Sequence, residues 1–307
     1  MFNDVLVGVD TRSGGRDAVA LARQLVSPDG KLTLVHVDDA GAAIFERNLR
    51  FGYDAAGHEA TARLLEQERR AAGVDAGLLR VSAASVGEGL HRLAQAHAAD
   101  LLVLGSCSRG RLGRALLGDD TRDSLNGASC AVAVAPAGYA ELERELAVIG
   151  VAFDGKPDSI AALAAARELA AQSGAALQAC EVVSLPGYAY SSAFVVAWAE
   201  SIEASVAAAG ARLSELDGVD ARAVYGVAGE ELASFSRDVD LMIVGSRGYG
   251  PARRLIYGST ANYLLGHAGC ALLVLARSAG PPTGEATGRA GEVADGETSP
   301  PAVGATR

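Results

Sequence analysis

The chain has 307 residues, half of them apolar and only 5% aromatic, with a formal charge of −10. That length suits two domains rather than one small one, with cores built from Ala, Val and Leu. The acidic balance and the lack of a basic stripe exclude a duplex-binding role, and no apolar run approaches the roughly 18–20 residues that cross a bilayer.

The expected elements alternate from the start. Residues 5–9 form a short apolar strand, and Ala18, Val19, Leu21, Ala22, Leu25 and Val26 fall on one face of a helix. A strand at 32–37, a polar helix at 59–72, a strand at 79–83 and a helix at 90–98 follow. Strand 101–104, a Gly-rich loop, a helix near 121–125 and strand 131–135 complete the first set. A short linker at 138–145 leads to a second set, with strands near 148–152, 177–182, 222–225, 241–244 and 271–275. Alternating strands and helices with buried strands imply a parallel sheet covered on both faces, and right-handed crossovers make a doubly wound sheet the simplest arrangement. The expected division is 1–140, 146–277 and a tail at 278–307. The tail has no Leu, Ile or aromatic residue to bury, and disorder is expected there.

The two sets are copies. Asp100-Leu101-Leu102-Val103-Leu104-Gly105-Ser106 returns as Asp240-Leu241-Met242-Ile243-Val244-Gly245-Ser246, 140 positions on. Cys130 and Gly118 return as Cys270 and Gly258 at the same offset, whereas Gly8 is matched to Gly150 at 142. A constant order with a drifting offset indicates a duplicated domain with loop insertions and deletions.

The most informative stretch is Gly245-Ser246-Arg247-Gly248, nine residues, then Gly258-Ser259-Thr260. It begins where a buried strand ends and finishes where a helix begins, with Ser259 or Thr260 as the expected N-cap. Glycines let backbone approach a ligand, a helix start offers unpaired N–H groups, and Arg247, Arg253 and Arg254 add positive charge. A phosphate chain suits these features, although Gly-rich strand-to-helix turns also occur without ligands. The stretch is not a GxxxxGK[ST] loop, and Gly248-Tyr249-Gly250 lacks the third glycine of a dinucleotide fingerprint.

Placed between the fourth strand and its helix, G-x2-G-x9-G-[ST] resembles the ATP-binding motif of universal stress proteins. Ile149-Gly150-Val151-Ala152-Phe153-Asp154-Gly155 resembles that family's first strand and its nucleotide-contacting Asp, and Val7-Gly8-Val9-Asp10 is the matching piece of copy one. The resemblance implies strand order 3-2-1-4-5 in each copy, with a ligand at the switch between strands one and four. It implies that Asp154 and the backbone near Val182 hold adenosine, and that Gly245 to Gly248 with Gly258, Ser259 and Thr260 hold phosphates. ATP, with ADP or AMP as variants and Mg²⁺ as companion, is the implied ligand. On the residues themselves, Asp154 also fits a plain turn and Val182 a plain core position. Gly8, Asp10, Val37, Gly105, Ser106 and Gly118 would form a weaker counterpart site. There Ser108 replaces the second glycine, and Asp119, followed by Asp120, replaces the phosphate-binding Ser. Carboxylates at that helix start would repel phosphate.

Two other readings stand beside this one. Ser13-Gly14-Gly15-Arg16-Asp17 resembles the phosphate loop of ATP pyrophosphatases but lacks its terminal Ser or Thr. In the other the chain is a pure interaction module whose nucleotide is structural: the last strand of each copy is expected at a sheet edge that invites pairing, and the resemblance implies that these strands make dimer contacts, between the copies as a pseudo-dimer or with a second chain. Cys107, Cys130, Cys180 and Cys270 form no CxxC pair and have no His at ligand spacing, so buried thiols in a reducing cytosol are expected and no protein metal site is. The start Met1-Phe2-Asn3-Asp4-Val5 lacks the features of a signal peptide, which agrees with a cytoplasmic location. His36 sits in an apolar strand as a core residue, and no acid, base or nucleophile stands out among the five histidines or the Glu-rich helix faces.

Overall fold

Short apolar runs such as Leu101–Gly105 and Ala131–Ala135 cannot face water on either side, so each must be paired along its edges and covered above and below. The computed structural model describes residues 1–10, 14–39, 55–106, 127–142, 145–184, 195–246 and 258–276. The first half runs β1 (Phe2–Gly8), α1 (Gly14–Leu25), β2 (Val26–Asp39), α2 (Ala55–Ala72), β3 (Ala76–Ala83), α3 (Val86–Ala96), β4 (Leu101–Gly105) and β5 (Ala131–Ala135). The second runs β6 (Val148–Ala152), α4 (Pro157–Ser173), β7 (Ala176–Val183), α5 (Val195–Ser214), β8 (Asp220–Tyr225), α6 (Ala228–Phe235), β9 (Leu241–Gly245), α7 (Ser259–His267) and β10 (Ala271–Leu275). The helix expected near 121–125 and the tail lie outside the described residues.

Several boundaries differ from those read by periodicity. α3 starts at Val86 rather than Leu90 because Ser85 caps it, its hydroxyl accepting from the Glu88 N–H at 3.2 Å. β2 begins at Val26, with an irregularity in register between the Phe2 and Asp4 pairs that absorbs the polar turn before Lys31.

The strands form one ten-stranded sheet in the order β3-β2-β1-β4-β5-β10-β9-β6-β7-β8. Each half therefore has the order 3-2-1-4-5, parallel throughout. The halves join through an antiparallel pair in which Val134 faces Leu272 and Val132 faces Val274. β5 and β10, expected at open edges, are each other's partners, so their ladders are satisfied inside the chain and closed to a second copy. The outer edges are β3 and β8. Side-chain alternation then assigns Ala131, Ala133, Ala135, Ala271 and Leu273 to one apolar cluster and Val132, Val134, Leu272 and Val274 to the other. Each cluster runs through both halves, on opposite faces of the sheet.

The register corrects one match made in the sequence. Val5 pairs with Leu101 and Ile149 pairs with Leu241, so Val5 is equivalent to Ile149 and Gly8 to Ala152, not to Gly150. The second half is shorter between its first and fourth strands, which is why the offset shrinks along the chain. Asp10 and Asp154 then take equivalent places.

Candidate functional site

In the second half the chain crosses from β6 to β7 on one side and later reaches β9 on the other, so strand order reverses at β6. Open α/β sheets bind ligands beyond the carboxyl ends of their strands at such a point. A cavity of about 610 Å³ lies there. The strand ends contribute Ala152, Cys180, Val182, Val244 and Gly245, α6 contributes Ala228 and Leu232, and α7 contributes Thr260 and Ala261.

Asp154 follows β6 in a tight turn that needs Gly155 at φ +71°, a conformation that disfavours any side chain. The Asp154 N–H donates to Ser159 Oγ at 3.2 Å, and that hydroxyl donates to the Lys156 carbonyl at 2.9 Å. Asp154 Oδ1 accepts from the Lys156 N–H at 3.1 Å, and Oδ2 accepts from Lys156 Nζ at 2.5 Å. Burial pushes the Asp154 carboxyl up, but the hydrogen bonds from Lys156 and Ser159 outweigh it and hold the group below the usual carboxylate range. Pro157 then opens α4, where its missing N–H costs nothing.

Gly245 has a packing role that the sequence did not reveal. A methyl group there would lie 2.6 Å from the Asp158 carbonyl oxygen, so glycine is needed to seat the first turn of α4 over the end of β9. Gly105 is the same: a methyl group would lie 1.9 Å from the Gly14 carbonyl oxygen. Close backbone packing, rather than ligand approach alone, sets these two positions. Gly150 is also a packing residue, facing Phe235 and Val239, and is not among the cavity's lining residues. Ser246 is buried, with its N–H donated to the Leu275 carbonyl at 3.2 Å.

At α7 the expected cap is corrected. Gly258 is the N-cap and makes no side-chain cap bond, while Ser259 and Thr260 occupy the first helical positions. The Asn262 N–H is the first to reach back, donating to the Gly258 carbonyl at 3.0 Å. A helix start without a side-chain cap therefore meets the cavity at Thr260 and Ala261. The structure thus brings Asp154, Val182, Gly245 and Thr260 around one crevice. Arg247, Gly248, Arg253 and Arg254 lie outside the described residues.

In the first half Gly8, Gly105 and Val37 stand at or near the carboxyl ends of β1, β4 and β2, with Asp10 and Ser106 just beyond β1 and β4. A methyl group on Gly8 would meet Leu104 at 2.8 Å, Val37 is buried, and the Ser106 N–H donates to the Ala135 carbonyl at 2.9 Å. Ser108, Gly118 and Asp119 lie outside the described residues. Asp17, from the stretch resembling a pyrophosphatase loop, is buried and accepts from the Gly138 and Ala140 N–H groups at 2.9 Å each, fixing the linker onto α1. His36 is half-buried, its Nδ1 2.8 Å from the Val9 carbonyl and its Nε2 3.6 Å from Asp38.

Sequence reasoning missed a pair of structural carboxylates. Asp240 accepts from the Ala147 and Val148 N–H groups at 3.0 and 2.9 Å, and Asp100 accepts from Asn3 and Asp4 at 2.7 and 3.1 Å. Each heads the repeated Asp-Leu strand and ties down the start of its half's first strand. Their recurrence was visible, but their partners were not. Among the described residues no cluster of His, Cys, Asp and Glu is able to hold a metal ion, and no helix is long and apolar enough to cross a membrane.

These features define a duplicated, doubly wound α/β protein whose halves share one sheet. The model of the universal stress protein family matches it twice, over residues 1–136 and 146–276. Universal stress proteins of Mycobacterium tuberculosis and Mycobacterium bovis are each 30% identical over 289 residues, covering 89% of this chain and 96% of theirs. The chain belongs to the universal stress protein family. A universal stress protein structure from Archaeoglobus fulgidus superposes with a TM-score of 0.61 at 16% identity, covering 90% of this chain and 99% of that one. A Pseudomonas aeruginosa structure titled a putative universal stress protein gives 0.60 at 20% identity, covering 89% and 93%.

Proposed function

We propose that the second half binds ATP in the crevice beyond β6 and β9, and that the protein acts as a nucleotide-dependent regulator in the stress response rather than as an enzyme. The observation that carries this reading is the 610 Å³ cavity at the strand-order switch. Its volume falls within the roughly 300–1,000 Å³ of small-molecule sites. Asp154 and Val182 lie at the end assigned to adenosine. In this reading the phosphates are held by Gly245, Ser246, Arg247 and Gly248 with Gly258, Ser259 and Thr260 at the start of α7, of which Gly245 and Thr260 line the cavity. Mg²⁺ would ride on the phosphates. The first half, with Ser108 and Asp119 in its motif, is the weaker site.

The non-catalytic reading is supported by the ionisable groups of the crevice. Asp154 is held in its ionised form, and burial pushes the Cys180 thiol up against the opposing pull of Arg222, so neither is poised to exchange a proton near neutral pH. Three free, buried cysteines, Cys130, Cys180 and Cys270, suit a reducing cytoplasm. Mass analysis of small molecules released from the purified protein, followed by calorimetry with ATP, tests the reading. One tight ATP site is expected. Two equivalent tight sites, or no adenine nucleotide bound at all, would count against it.

A further inference from the structure

Lys156 lines the crevice and is paired with Asp154. It is the N-cap of α4, and it lines the cavity together with Asp154, Gly245 and Thr260. Its ammonium lies 2.5 Å from Asp154 Oδ2, and its backbone N–H donates to Oδ1 at 3.1 Å. Both oxygens of the carboxylate assigned to adenosine are therefore engaged before a ligand arrives. The geometry points to Lys156 as a specificity-determining residue. It masks Asp154 in the free crevice and carries its charge over to the ligand's phosphates, so that phosphorylated nucleosides are selected over bare nucleosides. The inference rests on the nucleotide site proposed above.

The chemistry of the pair makes the exchange feasible. The Lys156 side chain is 68% exposed and Asp154 41%, so solvent screens their attraction and no packing fixes the lysine stem. An ammonium is a compact point charge with three rotatable donors on a flexible chain, suited to changing partners as a planar guanidinium fork is not. Adenosine must displace that ammonium from Oδ2 and offers it no anion in return. ATP and AMP bring their own.

The test is calorimetry of the full chain with adenosine, AMP and ATP, comparing wild type with Lys156→Ala and Lys156→Arg. In Lys156→Ala adenosine binds about threefold tighter and ATP about threefold weaker. The ATP-to-adenosine ratio falls about tenfold, or ~1.4 kcal/mol. Lys156→Arg keeps the charge but not the compact, rotatable donors, and restores only part of the ratio. An unchanged ratio, or equal weakening of both ligands, overturns the inference while ATP binding by wild type keeps the site. Weaker ATP binding with unchanged adenosine binding makes Lys156 a phosphate contact only and overturns the masking. Absence of ATP binding by wild type removes the site and the inference together. A ligand-free readout stands apart from these: NMR titration of the Asp154 carboxyl should move upward in Lys156→Ala, and an unmoved titration would show that no pair forms.

Discussion

At the residue scale, carboxylates govern this molecule more than its apolar composition suggests. Asp240 satisfies two backbone N–H groups that open β6, and Asp100 does the same for β1. Hydrogen bonds to a charged acceptor contribute about 1.5–3 kcal/mol, and removing the acceptor leaves donors unpaired. Asp240→Ala should therefore destabilise by about 2 kcal/mol, lowering the urea midpoint with little change in slope; an unchanged midpoint would deny the clasp. Asp154 gives a pH signature. Its folded-state carboxyl is depressed, so its contribution to stability is fully present above the unfolded pKa and is lost as pH falls through the folded value. Urea midpoints between about pH 5 and pH 2 should thus fall less steeply for Lys156→Ala than for wild type, given the unperturbed Asp pKa of about 3.9. Equal slopes would mean that Lys156 does not hold the carboxylate.

At the scale of elements, α7 carries a conflict between stability and binding. Its start lacks a side-chain cap, and its dipole end faces the crevice at Thr260 and Ala261. A carboxylate in the first turn stabilises a helix by about 0.3–1 kcal/mol. The same carboxylate opposes a phosphate. Ser259→Asp should therefore leave the melting temperature equal or slightly higher while weakening ATP by about tenfold or more, since a like charge ~4 Å away costs on the order of 4 kcal/mol before screening. Melting curves and calorimetry on one preparation read both effects. Retained affinity would move the phosphates away from α7. α4 is positioned by a different device, the missing side chain at Gly245, which lets its first turn rest on the end of β9.

At the scale of the whole molecule, the antiparallel pairing of β5 with β10 turns two five-stranded sheets into one. Both apolar clusters cross that junction. A single cooperative unfolding transition is therefore expected for wild type. Ala133, fully buried opposite Leu273, is the place to test it. Ala133→Asp puts an unpaired charge in the junction, costing about 3–5 kcal/mol, and should lower stability sharply or split the transition in two. Wild type melting in two separate steps, or a variant as stable as wild type, would show that the halves do not depend on the shared sheet.

The amino-acid sequence by itself determined the duplication and the alternation of strands and helices, which follow from local apolar runs and from a motif order that repeats. The order 3-2-1-4-5 in each half was implied by the resemblance to universal stress proteins, and the sheet has it. The same resemblance grouped Asp154, Val182, Gly245 and Thr260, and these four line one cavity where strand order reverses. Tertiary structure alone decided the rest. Gly8 pairs with Ala152 because register is set by cross-strand ladders that a one-dimensional offset does not see. Gly258 caps α7 because chain direction at the helix entrance, not hydroxyl chemistry, fixes where the helix begins. β5 and β10 lie at the centre of the sheet because two unsatisfied backbone edges in one chain complete each other, and that depends on how the halves meet in space.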